Sequence, residues 1–492
     1  MEFKILGGAR EVGRSSVHVS TSESDILVDC GLKQGETTEY PRVNELDNLD
    51  AVVLTHAHID HSGGLPLLSS LGLLDGDVPV FCTPPTGMLL KTLLYDSYSL
   101  QRKEWKRNDR DPIYGHEDVA EVLKQVEPVP YQEFSVTDDI QAEFGNAGHI
   151  LGSAWVQIRS EGRRVLFSGD LGGGRTNHLP RPADPPKSDA LFLESTYGAT
   201  QQQPSFSKQC NELIDAASAE VPVLIPSFAV GRAHEVLRLI KTRDEIDPSR
   251  VYFDGMIEET LPAYRSYAST LYMNESIVNS IESSSDPRPF LPEGVEKPDT
   301  YRDRTRIARE EDAPIVIAPS GMLTGGWSPL YLREFAESRE DSKVILVGHQ
   351  AEQSVGRRLE SAHEAGTDAD VTVEALAGPG DAEDAEDFEY RESEVRVPGE
   401  WIETFGGFSA HGSATSLLNF ARKSLPRRIF VVHGDGDNWK SMEALLKSDS
   451  TLKHGRIESP AVGDEFELEA RIPKPFEERL EELEEKVSEL TR

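Results

Sequence analysis

The chain has 492 residues, too many for one ordinary hydrophobic core, so two or more domains are expected. No run of roughly 18 apolar residues occurs, which excludes a membrane-spanning helix. The three cysteines, Cys30, Cys82 and Cys210, are odd in number and far apart, which excludes a disulfide framework and suits a reducing, cytoplasmic setting.

The formal net charge is −35, with 17 lysines against 34 arginines. Such a surface ordinarily repels nucleic acid. In molar salt, however, the screening length falls to about 3 Å and fixed surface charge barely reaches a ligand. The acidic, lysine-poor composition is that of a salt-adapted, halophilic protein, so global charge does not vote against a polyanionic substrate.

In chain order, "MEFKILGGAREVG" reads as a strand and a glycine turn, without the apolar core of a signal peptide. Short β-branched runs follow, "DILVDCG", "AVVLTH", "VPVFCT", "RRVLFSGD" and "ALFLEST", with helical patterns between them, as near Asp118 to Gln125. This is a layered α/β pattern. From about residue 205 the rhythm changes. "VPVLIPSFAVGRAHEVLRLIK" predicts a buried strand, a loop and an amphipathic helix, and "RVYFDG", "APIVIAPSG" and "SKVILVGHQ" each predict a strand then a turn. These are βα repeats of a parallel sheet. Gly378 to Glu394 reads as a solvated acidic loop. "FGGFSAHGS" and "RIFVVHGDGD" return to strand–turn units carrying histidine. The tail, Lys474 to Arg492, carries Phe476, Leu480, Leu483, Val487 and Leu490 at helical spacing, a stripe that would dock on its own domain or pair two subunits.

The densest chemistry lies in "LTHAHIDHSGGLP", where His56, His58, Asp60 and His61 end a strand-like run. Residues two apart on an extended segment point the same way, so His56 and His58 can reach one metal. If the chain then turns into a helix, Asp60 and His61 swing toward a second position. Imidazole and carboxylate suit zinc, held at about 2.0–2.2 Å. The remaining ligands must come from other strand ends: His149 in "NAGHILGSA", Asp170 in "LFSGDLGG", an acceptor able to bridge two cations, and His433 in "VVHGDGD". His18, His116, His178, His234, His363 and His454 are read as structural or surface residues. Two metals about 3.5–4 Å apart activate a shared water and clamp both oxygens of a phosphoryl displacement. The leaving alkoxide still needs a proton. His411 in "GFSAHGS" is the candidate donor, with Glu194 in "FLEST" to orient it and raise its basicity.

With these residues in place, the chain resembles a known family. The HxHxDH cluster, His149, Asp170, His433 and "LVDCG" with Asp29 match the metallo-β-lactamase fold. "FLEST", "FSAH" and "VVHGD", with an insertion between the first two, resemble its β-CASP branch, whose members are nucleases. "GGAREVGRSS", "PSFAVGRAHE", "APSGMLTGG" and "GRRLE" are most similar to the archaeal relatives of the cleavage and polyadenylation specificity factor endonuclease.

The resemblance covers residues 1 to about 470 and implies an αββα sandwich with an inserted parallel-sheet α/β domain. Residues 1–198 and 401–472 would form the metallo-β-lactamase domain, 199–400 the β-CASP domain and 473–492 a C-terminal amphipathic helix. It further implies two Zn2+ per chain. His56, His58 and His149 would hold one ion and Asp60, His61 and His433 the other. Asp170 would bridge, Asp29 would orient ligands, and His411 with Glu194 would supply the proton. Ser227, Arg232, Ser320, Arg357 and Arg358 lie in loops suited to RNA phosphates, arginine by bidentate contact. Helix capping and interdomain ion pairs are the competing use of the same residues.

Two positions depart from the family pattern. Gly412-Ser413 follows FSAH where relatives carry Ser or Thr and then Asp, and His349 stands where tyrosine is usual. On this resemblance the protein is expected to lack the N-terminal RNA-binding KH domains of many archaeal relatives and the C-terminal domain of bacterial ribonuclease J.

The implied function is a zinc-dependent ribonuclease cleaving single-stranded RNA by attack of a metal-bridging hydroxide, in RNA 3′-end processing or transcript turnover. Its implied partners are a second subunit and an RNA-processing or transcription-termination complex. The alternatives are a 5′-to-3′ exoribonuclease of the ribonuclease J type, a catalytically silent scaffold, and a small-molecule hydrolase such as a thioesterase. Retention of all seven ligand residues opposes the scaffold, and the insertion with the His411–Glu194 pair opposes the small-molecule enzyme. The composition itself makes a prediction: unfolding free energy should rise between about 0.1 and about 2 M KCl, and equal stability at the two would remove the salt-adapted reading.

Overall fold

The computed structural model describes residues 1–469 apart from 36, 174–175, 203, 285, 287, 349, 352, 378–388 and 409. The tail helix and His349 therefore lie outside the described residues. The chain opens with β1 (Glu2–Gly7), β2 (Ser16–Ser20), β3 (Asp25–Val28), β4 (Ala51–Val53), α1 (Ile59–Ser62), α2 (Leu65–Ser70), β5 (Val80–Cys82), α3 (Pro84–Arg107), α4 (His116–Lys124) and β6 (Val126–Pro128). The six strands lie side by side in sequence order. A second sheet follows from β7 (Glu133–Ser135), β8 (Gln141–Asn146), β9 (Ala154–Ser160), β10 (Arg163–Phe167) and β11 (Ala190–Leu193).

The chain then leaves this pair of sheets. It builds α5 (Phe206–Ala217), β12 (Val223–Pro226), α6 (Arg232–Lys241), β13 (Val251–Phe253), α7 (Ile257–Ser266), α8 (Glu275–Ser284) and α9 (Tyr301–Glu310). It continues through β14 (Ile315–Ala318), α10 (Ser328–Ser338), β15 (Lys343–Leu346), α11 (Val355–Ala365), the hairpin β16 (Ala369–Ala377) and β17 (Glu389–Val397), and β18 (Ile402–Thr404). It returns through α12 (Ala414–Ser424), β19 (Arg428–Val431), α13 (Asn438–Ser448), β20 (Arg456–Glu458) and β21 (Glu465–Glu467). Strand β21 completes the first sheet beside β1, and β19 and β20 complete the second beside β11.

The two seven-stranded sheets face each other. Phe3, Ile5, Val19, Ile26 and Val53 of the first interlock with Phe144, Val156, Val165, Phe192 and Phe430 of the second. Phe192 stacks between Phe167 and Phe430, with ring centroids 4.6 and 4.5 Å away. Each such buried ring contributes roughly 1.5–3 kcal/mol through apolar area removed from water. The outer face of the second sheet, Leu166, Leu191, Leu193 and Val431, takes Leu417, Ala421, Met442 and Leu446 from α12 and α13. The outer face of the first is covered by α2, α3 and α4 through Leu65, Leu68, Leu90, Leu94 and Val119. The result is the four-layer αββα sandwich.

The insertion is a five-stranded sheet in the order β13-β14-β12-β15-β18. Every pairing in it is parallel. Its strands VLIP, VYF and IVIA are buried throughout, as strands covered on both faces must be. The strand–turn readings of 221–241, 250–255, 313–321 and 342–350 match β12 with α6, β13, β14 and β15. The acidic stretch is corrected in part. Residues 389–394 belong to β17, paired with β16 from Glu389 to Val397, and only 378–388 lie outside the described residues. Charges on the solvent face hid the period-two alternation that ends in the buried Val395 and Val397.

In a parallel sheet the loops after the strands gather on one edge. Here that edge carries Ser227, Asp254, Ser320, Gly348 and, after β18, the loop to His411. Behind it lies a buried pair that holds the insertion together. Asp254 accepts two bonds from the Arg304 guanidinium at 2.8 and 2.7 Å and one from the Tyr331 hydroxyl at 2.9 Å, while Arg304 lies 3.8 Å over the Trp327 ring. Removing one partner strands the other charge. Asp254→Ala is expected to cost about 3–5 kcal/mol in denaturant unfolding of the insertion, and a loss below about 1 kcal/mol would show that water reaches Arg304.

Candidate metal centre

The centre is built on the ends of β3, β4, β8, β10 and β19. β4 ends at Val53, the chain runs through bends from Thr55 to His58 and α1 starts at Ile59, so the HxHxDH cluster straddles a strand-to-helix turn. The turn packs tightly on the loop after β3. Cys30 N donates to His61 O at 2.8 Å, and a Cβ on Gly31 would lie 1.7 Å from Asp60 O, so no other residue fits there. Asp29 adopts a left-handed φ of 59°, a conformation that aspartate tolerates better than most residues. Its carboxylate accepts from Thr55 N (2.7 Å), Thr55 Oγ1 (2.8 Å) and His61 Nδ1 (2.7 Å). The proton on His61 is thereby fixed to Nδ1, and Nε2 points into the site.

Asp170, 2% exposed, sits at the middle. Its Oδ2 lies 3.6 Å from both His56 Nε2 and His149 Nε2, and its Oδ1 lies 3.3 Å from His61 Nε2 and 3.2 Å from His433 Nδ1. His58 Nδ1 and His149 Nε2 approach to 3.1 Å, and His433 Nε2 lies 3.4 Å from Asp60 Oδ2. The donors fall into groups whose ligand atoms lie within 4.8 Å of one another: His56, His58, His149 and Asp170; Asp60, His61, Asp170 and His433; and Asp170, Glu194 and His411. Asp170 belongs to all three. His56 Nε2, His61 Nε2, Asp170 Oδ1 and His433 Nε2 are buried without a hydrogen-bond partner. Buried polar atoms are rarely orphaned, and four orphans converging from the ends of β4, β10 and β19 fit a divalent cation site. The donor set of imidazole and carboxylate suits zinc.

The electrostatics divide the site. Burial pushes His56 and His149 well below the ordinary imidazole value and takes His58 down to about 4, so these rings are neutral and ready to ligate. Burial also acts downward on His61 and His433, but Asp170 with Asp29 on one side and Asp60 on the other outweighs it and raises both. Asp60 and Asp170 go the other way: burial opposes their charge, the surrounding histidines outweigh it, and both are held below the carboxylate range. A cation arriving here displaces protons from His61 and His433.

Glu194, buried beneath the site, accepts from Leu171 N at 2.6 Å and faces His411 Nδ1 at 3.1 Å. His411 Nε2 lies 3.9 Å from Asp170 Oδ2. Burial lowers the His411 value, yet Glu194 and Asp170 prevail and lift it to about 9.

The loop residues proposed for RNA are not members of the donor groups. Ser227 is buried and donates to Ile225 O at 3.2 Å, and Ser320 closes its own loop through Thr324. Arg232, also buried, binds Glu235 and the Phe408 carbonyl, so it braces the loop that carries His411. Arg357 pairs with Glu360, and Arg358 is exposed. Sequence reasoning missed Thr55 and Thr196. The Thr55 hydroxyl lies 3.1 Å from His56 Nδ1, and that of Thr196 lies 3.3 Å from His433 Nδ1. The only signal was their position, one before His56 and two after Glu194.

Comparison with known proteins gives three matches along the chain: the metallo-beta-lactamase superfamily over residues 9–209, a Beta-Casp domain over 234–359, and the Zn-dependent metallo-hydrolase RNA specificity domain over 394–457. The chain is similar to the transcription termination factor FttA of Pyrococcus abyssi, 34% identical over 455 residues, covering 87% of this chain and 66% of the relative. It is similar to FttA of Methanothermobacter thermautotrophicus, 32% identical, covering 92% and 69%. It is also similar to an RNase J-like protein of Methanocaldococcus jannaschii, 29% identical, covering 92% and 96%. Among solved structures, a protein of unknown function from Enterococcus faecalis V583 shares the fold, with a TM-score of 0.53, 13% identity and 94% and 99% coverage.

Asp170 alone touches every donor group, so Asp170→Ala is expected to strip most of the divalent metal from the purified protein, read by elemental analysis. Full metal content in that variant would mean that each half of the site holds its ion without the shared carboxylate.

Proposed function

We infer the function from one premise: the chain belongs to the metallo-β-lactamase superfamily and carries a β-CASP insertion and an RNA-specificity domain. On that premise the protein is a zinc-dependent ribonuclease that hydrolyses phosphodiesters in single-stranded RNA. The observation that carries this reading is Asp170, a buried carboxylate shared by three donor groups at the junction of the sandwich and the insertion.

In this reading His56, His58 and His149 hold one zinc ion, Asp60, His61 and His433 hold a second, and Asp170 serves both. Asp29 fixes the His61 ring. The metal pair, when bound, supplies an activated water and stabilises charge on the phosphoryl oxygens. His411 does the rest of the proton chemistry. It is held on Nδ1 by Glu194, it keeps its proton near neutral pH, and its Nε2 faces the metal site, where the alkoxide leaves. Protonation of that leaving oxygen by a positioned acid contributes on the order of 10²–10⁴ in rate. Arg232 acts through another group, since its hold on the Phe408 carbonyl sets where His411 sits.

Relatives named as termination factors support a role at the ends of transcripts, and this chain spans 66% of the first of them. The RNase J-like relative, matched over 96% of its length, favours a second reading in which the enzyme degrades from the 5′ end. A circular RNA separates the two, since only an endonuclease opens it.

The test is labelled single-stranded RNA with wild-type protein, with chelator, and with His411→Ala. Cleavage should stop with chelator. His411→Ala should keep about two zinc ions, the complement of a two-metal site, and bind RNA, yet lose about 10²–10⁴ in rate. If His411→Ala loses a metal instead, His411 is a ligand and the assignment fails.

A further inference from the structure

A chain with 86 acidic residues and 51 basic ones places five of its cations, Arg102, Lys103, Lys106, Arg107 and Arg110, within residues 102–110. The first four lie on the last turns of α3, and Arg110 lies just past it. Spacings of three and four put Arg102, Lys103, Lys106 and Arg107 on one side of the helix, and Arg110 follows Asp109, whose φ of 50° has left the helical path, while Leu90, Leu93, Leu94, Gln101 and Trp105 are buried on the other side. Cations at a helix C-terminus interact favourably with the peptide dipole, which accounts for Lys106 and Arg107 but not for Arg102 or Arg110. Arg107 pairs with Glu374 at 2.8 Å, and Lys103 lies 5.9 Å from the Tyr390 ring, so hairpin β16–β17 of the insertion flanks the stripe. Arg102, Lys106 and Arg110 are exposed and enter no ion pair among the described residues.

The same helix begins at the metal centre. Its capping residue Thr83 donates to Gly152 O at 2.6 Å, three residues beyond His149, and α3 packs on α1, which carries Asp60 and His61. Between these ends a cavity of about 760 Å³ separates α3 from α7, lined by Met88, Tyr95, Asp96, Met256, Arg304 and Trp327 among others. Met256 and Trp327 lie on the sheet edge whose far strand, β18, leads to His411. Arg304 is committed to Asp254 and Lys297 to Glu258, which leaves Lys91 against Asp96, Glu259 and Asp299, so the cavity offers aromatic and thioether surface and carboxylate acceptors rather than net positive charge. Such a lining suits bases, whose rings stack and whose amino groups donate to carboxylate. From Met88 to Arg107 the face runs roughly 30 Å at 1.5 Å per residue.

We propose that the exposed side of α3 is the track along which single-stranded RNA leaves the metal centre, its bases in the α3–α7 cavity and its phosphates on Arg102, Lys106 and Arg110. The proposal rests on the ribonuclease reading and adds where the strand runs. Charge complementarity selects the occupant: this is a stripe of cations on an otherwise acidic protein, and it continues in register from an aromatic-lined cavity.

Binding is measured in the His411→Ala protein loaded with zinc, which holds RNA without cutting it, using single-stranded RNAs of about 20 and about 6 nucleotides. Adding Arg102→Gln, Lys106→Gln and Arg110→Gln is expected to abolish most of the affinity advantage of the longer RNA. The slope of log affinity against log salt should flatten by about 2, roughly 0.7 for each lost phosphate contact. Tyr95→Ala is expected to weaken binding on the order of ten-fold with the slope unchanged, as loss of base stacking does; no effect would remove the cavity from the track. An unchanged slope and affinity in the triple variant overturns the track, and more so if its melting temperature falls, for the stripe then serves the chain's own carboxylates. A parent protein that neither binds nor cuts RNA overturns the ribonuclease reading and the track with it. A parent that does both beside an indistinguishable variant overturns the track alone.

Discussion

Everything at the centre of this protein is arranged around one buried carboxylate. Asp170 is 2% exposed and has imidazole nitrogens from His56, His61, His149 and His433 within 3.6 Å. Taking a carboxylate out of water is expensive unless opposite charge and hydrogen bonds replace the lost solvation. Five nearby rings, His411 included, supply positive charge only as far as they are protonated, and burial keeps His56 and His149 neutral. The protein has thus put more electron pairs than protons into a dry pocket. That imbalance is what a dication resolves, and it explains why side chains from four strand ends converge on a point where packing has no use for them.

Holding so many donors in place falls to the loops, and the loops are held by groups that never face the pocket. Gly31 lets the turn after β3 lie against Asp60, and Asp29 spends its carboxylate on Thr55 and His61. Glu194 is tied to Leu171 N before it reaches His411. The insertion enters the same scheme. His411 follows β18, the edge strand of the insertion's sheet, and Arg232 at the start of α6 grips the carbonyl of Phe408. His411 therefore stands on the crossover between β18 and α12, where the chain returns from the insertion's sheet to the sandwich, while His56, His58, Asp60, His61, His149 and Asp170 stand on the sandwich itself.

The sequence carried most of this because metal chemistry writes itself densely. Three histidines and an aspartate within six residues, followed by single residues at later strand ends, named every member of the donor groups around Asp170. Parallel strands were legible as unbroken apolar runs. What escaped was carried by geometry rather than composition. Thr55 and Thr196 are ordinary threonines until their hydroxyls face a ring nitrogen. β17 was hidden because its solvent face is charged, so its alternation looked like a loop. Ser227 and Arg232 flank one loop: the Ser227 hydroxyl donates to Ile225 O and Arg232 Nη1 holds Glu235 and the Phe408 carbonyl, while its Nη2 is buried without a partner among the described residues. No local pattern distinguishes an arginine that braces a loop from one that waits for a ligand.

Charge distribution closes the argument. A net charge of −35 spread over the surface raises a repulsive field for any polyanion, and that field decays over about 10 Å at 0.1 M salt. Contacts at hydrogen-bond distance are screened far less. A polyanion therefore meets a barrier at long range and a grip at short range, and salt weakens both, the barrier by screening and the grip by counterion competition. The grip has to be concentrated to work at all. Cations scattered among 86 carboxylates would each be neutralised by a neighbour, as Arg107 is by Glu374. Clustering Arg102 and Lys106 on the last turns of α3, a helix rooted beside His149, with Arg110 just past its end, keeps three charges available in one place. The acidic surface then does something useful for the site: it leaves the basic face of α3 as the place where a phosphate backbone meets least opposition.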